Sequence, residues 1–187
     1  MQAKTITSIP GLYIIENFIT ENEEIQLINQ IDSMHWSGNG IPKIMKDLGP
    51  LPDFLDFIIK KMINQEIDQE PPNMCIINEY EAGQGIMPHI DTATIFGPVV
   101  LSLSLLSSCL MKFTHSEDSS NQHSILLKPR SLLIMTKSSR FDYKHSISND
   151  YIEYYGNKEI IRSRRVSLTF RTMHSFNQQE DEAEEEC

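Results

Sequence analysis

Two rhythms of apolar and polar positions run along the chain, and the change from one to the other divides it. Residues 12–15 form a short apolar run that predicts a strand. Thr20 and Glu23 follow in capping-box spacing, ahead of a helical stretch reaching about Met34 in which Ile25, Ile28 and Ile31 make one apolar stripe. Pro52 opens a second helix, with Leu55, Ile58, Ile59 and Met62 at helical spacing. From Met74 the period shortens to β-rich runs at 74–80, 99–106, 109–114, 124–127, 131–136 and 165–173, separated by turn-forming clusters. Helices first and strands afterwards, without βαβ alternation, predict an α+β fold: an antiparallel double-stranded β-helix, or jelly roll, with the N-terminal helices packed on one sheet.

Composition narrows the class. With 187 residues, 40% hydrophobic and 22% charged, the chain is expected to fold around one core as a single domain over residues 1–176, acting as a monomer. No stretch is apolar for long enough to span a bilayer, and residues 1–10 lack a basic segment followed by an apolar run, so no membrane partner is expected. Cys75, Cys109 and Cys187 are odd in number and far apart, which suits a reducing compartment, cytoplasm or nucleus, better than a disulfide framework or a zinc site. The net charge is −10, but six of those negatives lie in the tail 177–187, which has the composition of a disordered segment. That tail reads as a solvated extension, with an electrostatic gate or partner handle as the other reading. The balance argues against a strongly basic nucleic-acid clamp.

Candidate chemistry begins at Pro88-His89-Ile90-Asp91. Residues two apart in an extended segment point the same way, so the His89 imidazole and the Asp91 carboxylate can share one ion. A second histidine from elsewhere would complete a two-histidine, one-carboxylate face that leaves coordination positions open on Fe(II). Six His and ten Asp would produce a His-x-Asp tripeptide by chance in about one such chain in three, so the motif needs company. The polar segment 116–123 reads as a loop, and His115 and His123 beside it as ordinary loop histidines rather than ligands.

Company comes from Arg165-Val-Ser-Leu-Thr-Phe-Arg171. Alternation puts Val166, Leu168 and Phe170 on one face and Arg165, Ser167, Thr169 and Arg171 on the other. If the polar face lines the inside of a roll, the two guanidiniums need anions, which a dicarboxylate supplies with matching geometry. The competing reading is an exposed strand with its arginines in water. In Ile77-Asn78-Glu79-Tyr80, Asn78 and Tyr80 share a face and could hydrogen-bond a bound carboxylate, or simply form a cross-strand polar pair.

Asn78-Glu79-Tyr80, the run Glu81-Ala-Gly-Gln-Gly-Ile86, His89-Ile-Asp91, a histidine at 145 and Arg165 with Arg171 together resemble the AlkB family of dioxygenases, in order and spacing, from about Gly11 to Arg171. Pro129-Arg-Ser-Leu-Leu-Ile-Met135 ahead of His145 belongs to the same resemblance, and within the family the likeness is to the branch that hydroxylates wobble uridine in tRNA. The resemblance implies that His89, Asp91 and His145 ligate Fe(II), that Arg165 with Tyr80 binds the distal carboxylate of 2-oxoglutarate, and that Asn78 and Arg171 orient its metal-chelating end. It implies further that O2 and 2-oxoglutarate react at the iron, giving succinate, CO2 and oxidation of a substrate carbon, so that an N-methyl group is lost as formaldehyde and a stable side chain keeps its hydroxyl.

The substrate is less constrained. Relatives acting on nucleic acid carry a lid between the first helix and the Asn-x-Tyr strand; here only residues 37–50 are available, with Lys43, Lys46 and, at the edge, Trp36, which reads as core rather than as a stacking platform. Three readings stay open: oxidation of a modified base in RNA, tRNA foremost, or in DNA; oxidation of a protein side chain or methyl-lysine, which the acidic balance suits; and a non-catalytic jelly-roll binding module, against which the full set of candidate ligands counts.

Overall fold

The structure, a computed structural model, describes residues 4–6, 8–34, 43–46, 51–65, 67 and 70–173. Trp36, most of the segment 37–50 and the tail 177–187 lie outside the described residues.

Two short strands, β1 (Lys4–Thr5) and β2 (Leu12–Ile15), lead into helix α1 (Glu21–Ser33). Its first turn closes as the sequence predicts: Thr20 Oγ1 accepts from the Glu23 amide at 3.3 Å, while the Glu23 carboxylate accepts from the Thr20 amide at 2.7 Å. The apolar stripe, however, is not the predicted one. Leu27 and Ile31 are buried with Ile28 beside them, whereas Ile25 is 57% exposed. At 3.6 residues per turn Ile25 and Ile31 stand about 120° apart on the helix, too far to face one sheet. Strand β3 (Lys43–Lys46) follows, then a 3-10 turn at Asp53–Leu55 that starts after Pro52, and α2 (Asp56–Asn64).

The rest is β-structure: β4 (Met74–Tyr80), β5 (Ile86–His89), β6 (Phe96–Leu105), β7 (Cys109–His115), β8 (Gln122–Leu127), β9 (Leu132–Met135), β10 (Tyr143–Ile147), β11 (Ile152–Tyr155), β12 (Lys158–Ile161) and β13 (Arg165–Met173), with the short helix α3 (Lys137–Phe141) between β9 and β10. Among the described residues the strands form a major sheet, β1-β2-β9-β6-β13-β4-β3, a minor sheet, β5-β10-β7-β8, and the hairpin β11-β12, all antiparallel. This is the expected α+β jelly roll.

Period-two alternation sorts the major sheet's side chains into two layers. Leu101, Leu103, Leu105, Leu132, Ile134, Val166, Leu168 and Phe170 meet Leu27, Ile31, Leu55, Ile58 and Met62 of the helices in one core. Val100, Leu133 and Met135 point the other way and join Met111, Phe113, Ile125, Leu127 and Tyr143 of the minor sheet in a second. Each buried Leu, Ile or Phe contributes about 1.5–3 kcal/mol, so the helix-side layer holds β13 in register between β4 and β6. A slip of one residue would turn Leu168 and Phe170 inward and both arginines outward, and the burial energy forbids it.

Candidate metal centre and anion pocket

His89 and His145 sit directly opposite each other where β5 pairs with β10, their ring centroids 4.3 Å apart. This close approach depends on the turn before β5. Gly83 has φ +82°, a conformation that side chains disfavour, and Tyr151 packs over it. A Cβ on Gly85 would lie 2.2 Å from the Ile147 carbonyl oxygen, so only glycine lets β5 come this near to the end of β10. Buried Arg162 fastens the same turn, donating to the carbonyls of Gln84 at 3.0 Å and Ser148 at 3.2 Å.

Asp91 lies two residues along, just past the end of β5 rather than within a continuing strand, yet its carboxylate still turns to the histidine side. Oδ1 is 3.8 Å from His89 Nε2, and one ligand atom from each of His89, Asp91 and His145 falls within 4.8 Å of the others. His89 Nδ1 is 2.8 Å from the Met87 carbonyl oxygen, which can only accept, so Nδ1 donates and Nε2 is the nitrogen turned toward Asp91. Burial, reinforced by His89 and the neighbouring guanidiniums, lowers the His145 pKa to about 4, so its imidazole is neutral and able to ligate near neutral pH. Burial alone would raise the Asp91 pKa; the Arg171 charge and hydrogen bonds, with the two histidines, outweigh it and hold the carboxyl ionised.

That grip is bidentate. Arg171 Nε reaches Asp91 Oδ2 and Nη2 reaches Oδ1, both at 3.0 Å. Arg165, on the same face of β13, is 1% exposed and has no such partner. Its Nη2 donates to Ser104 Oγ at 2.8 Å and its guanidinium lies 5.6 Å from the Tyr80 ring centroid. Among the described residues no carboxylate pairs with it, and its Nε, like Arg171 Nη1, has no hydrogen-bond partner. A pocket of about 50 Å³ lies between these groups, lined by Asn78, Tyr80, His89, His145, Arg165 and Arg171 among others. The residues fit a divalent ion beside a small dianion: two imidazoles and one carboxylate for the metal, and an uncompensated buried guanidinium for a carboxylate.

The structure thus brings together all seven residues singled out in the sequence. It leaves His115 and His123 outside the cluster: His115 Nδ1 accepts from the Glu117 amide at 3.3 Å, and His123 Nε2 pairs with Asn121 Oδ1 at 2.9 Å. Sequence reasoning did not name Ser102, which lines the pocket from β6, or Ser104, which accepts from Arg165, although the alternation Leu101-Ser-Leu-Ser-Leu105 marks both. Nor did it name Met111 and Ile147, or give Met135 a place in the site; all three line the pocket and resemble any other core residue in sequence.

The chain matches the 2OG-Fe(II) oxygenase superfamily over residues 32–171. It is 30% identical to the alkylated DNA repair protein ALKBH8 homolog of Arabidopsis thaliana, the similarity covering 90% of this chain and 60% of the relative. It is 32% identical to the tRNA (carboxymethyluridine(34)-5-O)-methyltransferase alkbh8 of Xenopus tropicalis, over 74% of this chain and 25% of that protein, so it spans only part of either relative. The solved structure of OsALKBH1 superposes with a TM-score of 0.70 at 18% identity, covering 91% of this chain and all of that one, a likeness of fold. Among the described residues no helix is long and apolar enough to cross a membrane.

Proposed function

The chain belongs to the AlkB family of 2OG-Fe(II) oxygenases, and from that premise we propose that it oxidises a modified base in RNA, tRNA before other RNAs, by hydroxylation or demethylation. It is a 2-oxoglutarate- and Fe(II)-dependent dioxygenase, with the facial set His89, Asp91 and His145. The observation that carries the site assignment is the contrast between two arginines on one face of β13: Arg171 already holds Asp91, whereas Arg165 is buried without an anion.

When bound, Fe(II) with 2-oxoglutarate supplies the O2 chemistry that oxidises a substrate C–H bond, with succinate and CO2 as coproducts. The chain's own part is to bind, orient and exclude water. His89 and His145 offer imidazole nitrogens, that of His145 kept neutral by burial, and Arg171 keeps Asp91 ionised and fixed in direction. Arg165, with Tyr80 beside it, takes the distal carboxylate of 2-oxoglutarate, while Asn78 and the remaining Nη1 of Arg171 face the end that meets the metal. His89 and Met87, the latter 81% exposed, mark the open side through which a base turned out of its stack would enter. The same reading takes residues 1–176 as one catalytic domain with 177–187 appended.

Support for a nucleic-acid substrate comes from the relatives, one named for tRNA carboxymethyluridine and one for alkylated DNA repair, and the first of these favours tRNA. The test is succinate formation from 2-oxoglutarate with Fe(II), with and without tRNA, for wild type, His145→Ala and Arg165→Ala. Turnover raised by tRNA and lost in both variants is expected. Unchanged turnover in the variants would remove the assigned roles. Stimulation by a basic protein and not by tRNA would move the substrate to a protein side chain, as the net charge of −10 would suit.

A further inference from the structure

Arg140 is 3% exposed and pairs with no carboxylate among the described residues. Its guanidinium instead donates to three carbonyls of one short stretch, the loop starting at Asp91 and the first two residues of β6: Nη1 to Asp91 at 2.7 Å, Nη2 to Phe96 at 3.3 Å and Nε to Gly97 at 3.3 Å. The loop is the one that leaves the His-x-Asp motif and enters β6. Arg140 itself sits on α3, five residues before His145, and β10 begins at Tyr143. A single side chain therefore ties the main chain of one candidate ligand to the element that delivers another.

Phe96 closes the arrangement. Its carbonyl accepts from Arg140, and its ring lies 4.9 Å from the Arg171 guanidinium, which in turn grips the Asp91 carboxylate. Asp91 is thus held at both ends, by Arg140 through the backbone and by Arg171 through the side chain. An apolar residue of similar volume could fill the space occupied by Arg140, but only a planar fork can donate to three carbonyls at once. Burying a guanidinium without a counter-charge is costly, so the loop must hold this shape for a reason other than packing.

We infer that Arg140 is a positioning residue for the iron centre, setting the orientation of Asp91 relative to His145; this rests on the oxygenase reading of the site. Outer partners of metal ligands typically carry a 10–100-fold share of metal affinity.

The experiment uses the full chain as wild type, Arg140→Met, Arg140→Lys and, as a control, Ile58→Ala, which removes a buried side chain on the helix side of the major sheet. Each is titrated with Co(II), whose visible absorption reports coordination geometry, and melted without metal. Arg140→Met is expected to bind Co(II) about 10–100-fold more weakly with an altered band, and Arg140→Lys to fall between it and wild type. The KM for 2-oxoglutarate at saturating Fe(II) should stay within about twofold, because the metal and not the cosubstrate is being repositioned. Wild-type Co(II) affinity and spectrum in Arg140→Met would overturn the inference. So would an equal loss in Ile58→Ala at a matched drop in melting temperature, or failure of both Arg140 variants to fold, since either assigns Arg140 to the fold alone. Wild type that binds no Co(II) would instead overturn the metal-site reading, and this inference with it.

Discussion

Arg171 and Asp91, 80 residues apart in sequence, face each other in a two-pronged ion pair, Nε to Oδ2 and Nη2 to Oδ1. Asp91 is buried, so the pair is a strong interaction only while both partners are present. Removing one leaves an uncompensated charge, at a cost of about 3–5 kcal/mol.

A double-mutant cycle on the metal-free protein should show this. Arg171→Met and Asp91→Asn are each expected to destabilise, Arg171→Met by about 3–5 kcal/mol, and the double variant by well under their sum. Urea unfolding measures all four proteins. Additivity within about 0.5 kcal/mol would mean that the two groups do not act as a pair.

Arg165 should behave with the opposite sign. In the metal-free protein it is a buried guanidinium without an anion, so Arg165→Met is expected to leave stability unchanged or raise it. Its cost appears only when the cosubstrate is present: loss of a buried charge pair of about 3 kcal/mol corresponds to a KM for 2-oxoglutarate raised roughly 100-fold. Thermal shift with Mn(II), with and without 2-oxoglutarate, gives a second readout. A wild-type melting temperature indifferent to 2-oxoglutarate would remove Arg165 from the cosubstrate site.

This difference between the two arginines shows where sequence reading stops. Alternation along Arg165–Met173 places both on one face, opposite Val166, Leu168 and Phe170, but leaves open whether that face looks into the roll or into water; the structure turns it inward. Nor could alternation say that Arg171 would find Asp91 rather than a ligand, since that depends on a loop whose course Arg140 sets. His145 was found by resemblance alone: Tyr143–Ile147 alternates in burial as a strand does, but only Tyr143 and Ile147 carry apolar character, a weak signal in sequence. The stripe on α1 failed for a plainer reason, since a spacing of three drifts around the helix while Leu27 and Ile31, four apart, stay in line.

Gly85 is expected to be intolerant of any side chain. Its Cβ would meet two backbone oxygens, Ile147 at 2.2 Å and Ser148 at 2.6 Å, which cannot swing aside as a side chain could. Gly85→Ala should therefore push β5 off β10, destabilise the protein by about 1–3 kcal/mol and weaken Mn(II) binding by separating His89 from His145. Gly97→Ala is the control. There the nearest atom is 3.4 Å away, an ordinary contact, and the change should be neutral or stabilising by up to about 1 kcal/mol. Equal effects at the two positions would show that close approach at Gly85 is not what brings the histidines together.

The buried state of His145 makes a signed prediction about acid. Its pKa is lowered to about 4 by burial and by the charges around it, against an ordinary value of 6.5, so below about pH 6.5 the unfolded chain takes up a proton that the folded chain refuses. Stability of the metal-free protein should fall as pH drops from there to about 4, by no more than about 1.4 kcal/mol per pH unit from this residue, and its contribution to the slope should vanish below. Asp91 acts in a different window: its pKa is held below 3.8 in the folded state, so the stability it contributes is present above its unfolded value and is lost only as pH falls through its lowered folded one. Comparing urea unfolding of wild type and His145→Gln between about pH 7 and pH 4 isolates the histidine. The variant's curve should be flatter by up to one proton, and parallel curves would mean that His145 titrates in the fold as it does in the unfolded chain, so that burial does not hold it neutral.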